Sequence, residues 1–360
     1  MNISMFIGSI YGGGAERVIC NLANHLIRRG HNVEILTMSE TPKQYELDRD
    51  VSVFHLLPLN ERKNKLYNDL IRVHRLRQYM KSHKDIHVYI VFLPATSIML
   101  LTFKNLTKAK IISSERADPA LYLPVMGKTL RLLAKRADGF VFQTEDAKTW
   151  YGDSVKDIHT AIIPNPISPN FIRPKYEGER RKVIAGVGRL TDQKNFSLLI
   201  RAFSRIASDI PDYNLVIYGE GNKRAELERL IESLGMQKRI SLPGNIQNIA
   251  DEMQKNSLFV LSSNSEGMPN VLMEAMALGL PCISTDCPCG GPRFLIQDGV
   301  NGVLVPVGDE VRMAEVMKKV ITDTDFREKI ADNAMNIQKK LAPENIYSQW
   351  DSLIEKVCGN

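Results

Sequence analysis

The chain has 360 residues, of which 44% are hydrophobic and 24% charged, and its formal net charge is +6. These values are ordinary for a soluble globular protein and argue against a disordered chain. Because a single hydrophobic core stops growing near about 250–300 residues, we expect two domains. The five cysteines are odd in number and scattered, so we expect reduced thiols and no metal site.

Two segments bear on membrane insertion. The first seven residues lack a basic leader, so we expect no signal peptide. The longest uncharged stretch, Val88 to Phe103, is shorter than the about 20 apolar residues that a spanning helix needs, and Pro94 interrupts it. This stretch therefore predicts a buried strand and the start of a helix. We expect the protein to be cytoplasmic.

Short apolar runs alternate with amphipathic stretches along the chain, which predicts an α/β protein with parallel sheets. A first sheet is predicted from strands at 3–8, 33–38, 88–93, 111–114, 139–143 and 161–164. A second sheet is predicted from strands at 183–188, 215–219, 240–242, 258–262, 282–285 and 302–306. The clearest helices are 15–29 and 198–208, where apolar residues recur at three- and four-residue spacing.

Prolines mark the boundary between the two predicted domains. Pro164, Pro166, Pro169 and Pro174 break regular structure, so we place the linker at about 165–180. The first domain is then 1–166 and the second 167–344. The closing stretch predicts a helix with one apolar face, which we expect to pack back on the first domain as part of 345–360. That face holds Ile346, Tyr347, Trp350, Leu353 and Ile354.

Residues 60–84 are strongly basic, with eight Lys or Arg and two Asp or Glu. As a helix, this segment is predicted to place its apolar residues on one face: Leu66, Leu70, Val73, Leu76 and Met80. The opposite face is predicted to carry the basic residues Arg72, Arg75 and Lys81, and Lys128 and Arg131 are expected to extend this patch. A basic amphipathic helix is typical of attachment to an anionic membrane surface. A core-packed helix with a solvated polar face is the alternative.

Three glycine turns follow predicted strands. The first contains Gly13 and Gly14 before a helix, where backbone amides suit an anion. The second runs from Gly186 and carries the cations Arg189 and Lys194, which can converge on a diphosphate. The third begins at Gly219. All three lack the last glycine of the dinucleotide fingerprint, which argues against an NAD enzyme. Plain tight turns remain the alternative for each.

Glu266 and Glu274 are the most informative pair of residues in the sequence. Glu266 lies in a loop beside Gly267 and Pro269, and Glu274 is predicted in the first turn of the helix that follows. A helix N-terminus suits a phosphate, and two carboxylates beside it accept hydrogen bonds from hydroxyls. An anion and a polyol in one site describe a nucleotide sugar. The alternative, an acid that offsets the helix dipole, explains only one of the two carboxylates.

In combination, these motifs and the segment 274–281 resemble the retaining glycosyltransferases of family 4, which have the GT-B fold. The resemblance extends from the first glycine loop to the final helix and is strongest over 183–306. It implies two Rossmann-like domains facing across a cleft. The first would bind the acceptor and the second the nucleotide sugar.

The resemblance also implies roles for individual residues. Arg189 and Lys194 would bind the diphosphate, Glu274 the ribose and Glu266 the donor sugar, so that Arg189, Lys194 and Glu266 are the expected catalytic residues. Further donor contacts are implied for Gly13, Gly14, Ile246, Gly267, Met268, Pro269, Asn270, Val271 and Leu272. Transfer would retain the anomeric configuration through front-face attack. No cofactor or metal is implied, because the two cations neutralise the leaving group.

One segment departs from the family pattern. Many members carry a histidine near the sugar, and here Arg116 stands in that place, after Glu115 and before Asp118. Glu115 and Arg116 could contact the donor or an anionic acceptor. A surface salt bridge between Arg116 and Glu115 or Asp118 is the alternative.

The expected function is therefore transfer of a sugar, first an N-acetylhexosamine, from a UDP-sugar to a lipid-linked or growing glycan in bacterial polysaccharide assembly. The expected location is the inner face of the cell membrane, as a peripheral protein, and no nucleic-acid partner is expected. Three alternatives stay open: a GT-B epimerase or hydrolase of nucleotide sugars, a non-catalytic binding subunit, and an oxidoreductase.

Overall fold

The structure is a computed structural model that describes residues 1–42 and 45–359. The chain divides into two compact units. Unit 1 comprises Met1–Pro166 with Glu344–Asn360, and unit 2 comprises Ile167–Pro343. Each unit contains one parallel β-sheet with helices, so the predicted α/β class is confirmed.

Unit 1 is built on a seven-stranded parallel sheet in the order β3-β2-β1-β4-β5-β6-β7. Its strands are β1 Asn2–Ile7, β2 Asn32–Thr37, β3 Ser52–His55, β4 Val88–Phe92, β5 Lys110–Ser114, β6 Gly139–Phe142 and β7 His159–Ile162. Its first five helices are α1 Gly14–Arg28, α2 Lys65–Ser82, α3 Pro94–Thr102, α4 Pro124–Ala134 and α5 Glu145–Tyr151. The central strand β4 is buried along its whole length, as its uninterrupted apolar sequence predicts.

Strand β3 is the one strand of this sheet that the sequence analysis missed. It has four residues, Ser52–His55, lies at the edge of the sheet beside β2 and alternates between exposed and half-buried positions. An edge strand is covered less completely than a central one, so its sequence needs no continuous apolar run.

Unit 2 is built on a six-stranded parallel sheet in the order β10-β9-β8-β11-β12-β13, and all six predicted strands are present. They are β8 Arg181–Val187, β9 Asn214–Tyr218, β10 Ile240–Gly244, β11 Asn256–Leu261, β12 Cys282–Thr285 and β13 Val303–Val305. The helices are α6 Phe196–Ile206, α7 Arg224–Ser233, α8 Ile249–Met253, α9 Asn270–Ala277, α10 Gly291–Leu295, α11 Glu310–Thr322, α12 Thr324–Ala334 and α13 Ile337–Lys340.

Both sheets reverse their winding direction at one pair of neighbouring strands. In unit 1 the chain moves from β1 to β2 and β3, then returns to place β4 on the other side of β1. In unit 2 it moves from β8 to β9 and β10, then returns to place β11 beside β8. Ligands of open parallel sheets bind outside the carboxyl ends of the strands at such a switch point. Ligand-binding residues are therefore expected in the loops after β1, β4, β8 and β11.

The last helix, α14 Pro343–Cys358, lies against unit 1. The Trp350 ring stacks on Phe92 at a centroid distance of 5.8 Å. His25 Nε2 lies 3.0 Å from Asp351 Oδ2, which joins α14 to α1. The chain therefore returns to its first unit after completing the second.

Helix α2 packs differently from the prediction. Leu76 and Met80 are buried as expected, but Leu66 is 71% exposed and Leu70 62% exposed. The predicted apolar face is therefore buried only toward the C-terminal end of the helix. The buried residues of α2, including Tyr79, all fall in its C-terminal half. An 18-residue helix is about 27 Å long, so its N-terminal half extends past the short strands it covers.

Candidate functional site

Lys194 and Glu266 form an ion pair at the switch point of the unit 2 sheet. Lys194 lies in the loop from β8 to α6, and Glu266 lies in the loop from β11 to α9. The Lys194 Nζ atom is 2.6 Å from Glu266 Oε1, and the two side chains are 15% and 9% exposed. Partial burial strengthens such a pair relative to one at the surface. Glu266 is thus a buried residue.

A serine hydroxyl that the sequence analysis missed holds the Glu266 carboxylate. Ser263 Oγ donates to Glu266 Oε1 at 2.6 Å, and Thr285 Oγ1 donates to the Ser263 carbonyl at 2.6 Å. Oε1 thus accepts from both Lys194 and Ser263. The second oxygen, Oε2, accepts no hydrogen bond from the described residues. It is available to a ligand hydroxyl, which is the chemistry a sugar site requires.

The loops that carry Lys194 and Glu266 are joined to each other by further contacts. The Asn264 amide donates to the Gln193 carbonyl at 2.8 Å, and Gln193 Nε2 donates to the Ser265 carbonyl at 3.0 Å. Ser262 Oγ donates to the Lys194 carbonyl at 2.9 Å. These bonds fix the spacing between the carboxyl ends of β8 and β11. The ion pair is therefore held in place from both sides.

The glycines after β8 and β9 allow backbone segments to approach each other. A side chain at Gly219 would collide with the Gly188 carbonyl, and one at Gly221 would collide with Leu190. The Gly219 amide donates to the Gly244 carbonyl at 2.9 Å, which joins the ends of β9 and β10. Close packing between the turns is therefore sufficient to require glycine at positions 219 and 221, without any ligand.

Gly188 has a different role, because the Lys194 side chain passes over it. A Cβ atom at Gly188 would lie 3.1 Å from Lys194 Cε. The neighbouring Arg189 is exposed, and its side chain makes no hydrogen bond or ion pair within the described part of the chain. The turn therefore holds one cation in an ion pair and presents another to solvent. Ile246 follows two positions after Gly244 and is exposed.

Helix α9 begins at Asn270, directly after Gly267, Met268 and Pro269. Glu274 is its fifth residue and buried, so the prediction of a first-turn carboxylate is wrong by one position. The amides of Leu272 and Met273 donate to the Pro269 carbonyl at 3.0 and 3.2 Å. These two amides are engaged within the helix, so any ligand contact of Leu272 cannot use its backbone donor in this geometry.

The segment before α9 packs tightly against the start of α10. A Cβ atom at Gly291 would collide with the Gly267 carbonyl and lie 2.8 Å from Pro269 Cδ. The Glu266 amide donates to the Pro288 carbonyl at 2.6 Å, and the Cys289 amide donates to the Glu266 carbonyl at 2.9 Å. The Glu266 backbone is therefore fixed to the loop between β12 and α10.

In unit 1 the glycine loop after β1 leads directly into α1. Gly13 is the residue before the helix, and Tyr45 Oη donates to its carbonyl at 2.9 Å. A side chain at Gly13 would collide with the Glu16 carboxylate. Gly14 is the first residue of α1. The acidic Glu16 in the first turn already complements the positive end of the helix.

Glu115 and Arg116 lie after β5 and both are buried, so the surface salt bridge considered above is wrong. Glu115 Oε1 accepts from Tyr122 Oη at 2.5 Å and from the Arg116 amide at 2.9 Å. Glu115 Oε2 accepts from Tyr151 Oη at 2.8 Å. Burial raises the pKa of Glu115, while these donors act in the opposite direction.

The Arg116 guanidinium lies beside two aromatic rings. It is 4.2 Å from the Phe92 centroid and 5.5 Å from that of Trp350. Its Nη1 donates to Asn165 Oδ1 at 2.8 Å, whereas Nε and Nη2 are buried and have no hydrogen-bond partner among the described residues. Burial lowers the pKa of Arg116 to about 9. Such a cation is expensive to keep in a folded protein.

The predicted membrane patch is only partly directed outward. Arg72 Nε donates to the Met38 carbonyl at 3.2 Å, and Arg75 Nη1 donates to the Leu56 carbonyl at 3.1 Å. Both guanidiniums therefore turn onto unit 1, and the prediction that they occupy a face opposite the packed residues is wrong. Lys81 and Lys128 are exposed. Arg131 is exposed and its guanidinium lies 4.4 Å from the Trp150 centroid.

A cavity of about 670 Å³ opens elsewhere in unit 1, beside the first residues of β1 and β2. Its lining includes Asn2, His31, Glu34 and Tyr79. This is the amino edge of the sheet, opposite the edge where open parallel sheets bind ligands. Across the described residues, no group of three or more His, Cys, Asp or Glu side chains is placed to hold a metal ion.

Sequence profiles of two protein families match the chain. "Glycosyltransferase Family 4" matches residues 12–171, and "Glycosyl transferases group 1" matches residues 169–337. Together the two profiles span the chain from the first glycine loop to α13.

Curated relatives include an enzyme of Campylobacter jejuni named as a GalNAc-α-(1→4)-GalNAc-α-(1→3)-diNAcBac-PP-undecaprenol α-1,4-N-acetyl-D-galactosaminyltransferase. It is 28% identical over 99% of each chain. The amylovoran biosynthesis glycosyltransferase AmsD of Erwinia amylovora is 23% identical over 95% of this chain and 96% of the relative.

Solved structures share the fold of the whole chain. HepE of Anabaena, in complex with UDP and glucose, aligns with a TM-score of 0.82 at 18% identity, covering 99% of this chain and 100% of HepE. The lipopolysaccharide outer core galactosyltransferase WaaB aligns with a TM-score of 0.77 at 22% identity, covering 99% of each chain. No helix in the described ranges is long and apolar enough to cross a membrane.

Proposed function

Since this chain belongs to glycosyltransferase family 4 and has the GT-B fold, we propose that it transfers an N-acetylhexosamine from a UDP-sugar to a lipid-linked or growing glycan in bacterial polysaccharide assembly. The observation that carries this proposal is the Lys194–Glu266 pair at the switch point of unit 2. A cation for a diphosphate and a carboxylate for a sugar meet where open sheets bind nucleotides. Unit 2 is therefore the proposed donor-binding domain and unit 1 the acceptor-binding domain.

The names of similar proteins support the choice of substrates. The Campylobacter relative is named for transfer of N-acetylgalactosamine to an undecaprenol-linked glycan, and HepE was solved with UDP. These names support a UDP-linked donor and a lipid-linked acceptor for this chain. An undecaprenol-linked acceptor lies in a membrane, so a peripheral position at the inner face of the cell membrane fits the same proposal.

Leaving-group stabilisation is the proposed role of the two cations. When the bond from the anomeric carbon to the phosphate oxygen breaks, negative charge grows on the departing UDP. The exposed Arg189 and the ammonium of Lys194 offset this charge, which is often the largest contribution to catalysis. An ammonium has three donors, so Lys194 can hold Glu266 and a phosphate oxygen together. These cations make transfer independent of a metal in our proposal.

Glu266 is proposed to orient the donor sugar through its open oxygen, Oε2, and to support positive charge at the anomeric carbon. Lys194 and Ser263 hold Oε1, so the carboxylate is oriented before the sugar binds. The acceptor hydroxyl attacks the same face that UDP leaves, and its proton passes to the departing phosphate. The new glycosidic bond therefore keeps the anomeric configuration. Glu274 is proposed to accept hydrogen bonds from the ribose hydroxyls.

The test is a transfer assay with purified protein and a polyprenyl-diphosphate-linked oligosaccharide. UDP-GalNAc, UDP-GlcNAc, UDP-glucose and GDP-mannose are supplied separately, with and without EDTA. We expect mass spectrometry to detect one added N-acetylhexosamine with a UDP-linked donor, and NMR to detect an α-linkage if the donor is α-linked. An inverted linkage or a requirement for metal would refute the proposed mechanism.

The same assay separates the rival functions. A changed or hydrolysed UDP-sugar without any acceptor would indicate an epimerase or hydrolase. Tight UDP-sugar binding with no product under any condition would indicate a non-catalytic binding subunit.

A further inference from the structure

The outward face of α4 and the turn before it expose large apolar side chains. Leu121, Leu123, Val125 and Leu132 are 68%, 72%, 78% and 70% exposed. We call these four residues the α4 apolar surface. They lie within 12 consecutive positions, whereas scattered single apolar residues are the norm on a protein surface.

Packing fixes which side of α4 faces outward. Gly127, Leu130 and Ala134 are the buried residues of this helix. A Cβ atom at Gly127 would lie 3.1 Å from the Trp150 ring, so the helix lies directly against α5. Val125 and Leu132 are seven positions apart and point away from this contact. The apolar surface therefore cannot turn inward without losing the packing of the opposite face.

The α4 segment itself carries only positive charge. Residues 119–137 contain Lys128, Arg131, Lys135 and Arg136 and no Asp or Glu. Lys128 is exposed and lies between Val125 and Leu132 on the same face of α4. Large apolar side chains with interspersed cations are the pattern that binds an anionic bilayer surface.

We propose that the α4 apolar surface inserts into the headgroup region of an anionic bilayer, with Lys128 and Lys135 beside the lipid phosphates. This deepens the proposed peripheral location by naming the segment that enters the membrane. In this proposal the α4 apolar surface, and not the basic helix α2, is the principal membrane contact. In α2, Arg72 and Arg75 are turned onto unit 1, and Asp69 and Glu61 are their partners.

The experiment is cosedimentation of the full chain with vesicles of phosphatidylcholine, with or without phosphatidylglycerol. We expect Leu123→Ser with Val125→Ser to weaken binding about 100-fold, at about tenfold for each apolar side chain. We expect Lys128→Gln with Lys135→Gln to weaken binding about 25-fold on the anionic vesicles only, at about fivefold for each charge. Val311→Ser in α11 is the matched control, because Val311 is also an exposed apolar residue, and it should bind like wild type.

Several results would overturn the proposal. One is unchanged binding by the Leu123→Ser, Val125→Ser variant with an unchanged thermal transition. Another is an equal loss for Val311→Ser, or a loss confined to Leu66→Ser with Leu70→Ser in α2. A third is a wild-type dimer in sedimentation velocity that the α4 variant abolishes while vesicle binding persists, which would make the surface a protein contact.

Failure of the proposed function is distinguishable from failure of this inference. Transfer to a short-chain acceptor analogue in detergent needs no vesicle. The Leu123→Ser, Val125→Ser variant should keep the wild-type rate in that assay. A wild-type protein that binds vesicles but shows no transfer would refute the proposed function and leave the membrane contact standing.

Discussion

Lys194 and Glu266 are 72 positions apart in the chain, yet their side chains meet at 2.6 Å across the two strands where the unit 2 sheet reverses direction. Glu266 also accepts from Ser263, so the carboxylate has two donors on one oxygen. This contact joins the two sequence motifs that had been interpreted separately. Lys194 holds the Glu266 carboxylate in place, and Glu266 in turn holds the Lys194 ammonium.

Lys194→Met is expected to reduce the transfer rate about 10²–10³-fold, the range for removal of one charge-stabilising donor. It leaves the buried Glu266 carboxylate with Ser263 as its remaining partner, so we expect the free energy of unfolding to fall by about 2 kcal/mol. Initial rates and thermal unfolding measure the two effects. Lys182→Met is the control, since Lys182 pairs with Asp212 at the surface and should affect neither. Equal rates for the two variants would exclude Lys194 from the site.

Ser263→Ala tests the hydroxyl that the sequence analysis missed. Removal of this donor leaves Lys194 on Oε1 but loosens the orientation of the Glu266 carboxylate. We expect kcat to fall about tenfold with little change in KM, because orientation matters most in the transition state. Steady-state kinetics with the UDP-sugar measure both constants. A change in KM alone would mean that Ser263 contributes only to donor binding.

Glu274→Gln is expected to weaken UDP binding about tenfold, since a hydrogen bond to a charged group contributes about 1.5–3 kcal/mol. Isothermal titration with UDP and with 2′-deoxy- and 3′-deoxy-UDP measures this. Wild type should lose affinity for at least one deoxy analogue, and Glu274→Gln should show no further loss with that analogue. Additive losses from the variant and the analogue would place Glu274 away from the ribose.

The strands and the two sheets could be predicted because buried parallel strands have continuous apolar sequences. Lys194 and Glu266 could each be found by their motifs, but their contact depends on which strands are neighbours at the switch point. Ser263 and Thr285 carry no signal of their own, because serine and threonine are common at strand ends. The bond from Thr285 to Ser263 exists only once β11 and β12 lie side by side, whereas Ser263 contacts Glu266 three positions along the same loop.

The prediction for α2 also failed because the outcome depends on tertiary packing. Periodicity correctly marked an amphipathic helix, and Leu76 and Met80 are buried. It could not indicate that the helix is longer than the surface it covers, which leaves Leu66 and Leu70 in solvent. Nor could it indicate that Arg72 and Arg75 would find carbonyl acceptors on the neighbouring strands and loops. Long side chains with charged ends can pack inward when acceptors are present.

Gly219→Ala is expected to reduce the free energy of unfolding by about 3 kcal/mol or more. Gly219 has a φ of +144°, and a Cβ atom there would collide with the Gly188 backbone, so strain and overlap add. Gly235→Ala is the control. Gly235 also has a positive φ, +68°, but nothing lies within 4 Å of its Cβ position, so we expect a loss of about 1 kcal/mol. Denaturant titration measures the free energy of unfolding of both variants. Equal losses would mean that the positive φ alone, without steric overlap, requires glycine at position 219.

Arg116 and Arg180 are both largely shielded from solvent, but their guanidinium groups differ in how many hydrogen bonds they donate. The Arg180 guanidinium donates to the carbonyls of Gln254, Asn256, Leu278 and Gly279 at 2.9–3.2 Å. The Arg116 guanidinium donates only to Asn165 within the described ranges, and two of its nitrogens have no partner there. Burial lowers the pKa of both groups. Arg180 therefore stabilises the fold, whereas Arg116 is retained at an energetic cost.

Arg116→Met should leave the free energy of unfolding unchanged or slightly higher, because an apolar side chain of similar length replaces a poorly satisfied cation. Asn165 keeps its hydrogen bond from Gln143 Nε2 at 2.7 Å. We expect the transfer rate to fall at least about tenfold, since a residue that costs stability at the carboxyl edge of the unit 1 sheet is expected to serve the substrate. Arg180→Met should instead lose about 2–4 kcal/mol, because four carbonyls lose their donor. Thermal unfolding measures the stability of both variants, and the transfer assay measures their rates. A large stability loss in Arg116→Met with a normal transfer rate would make this arginine structural.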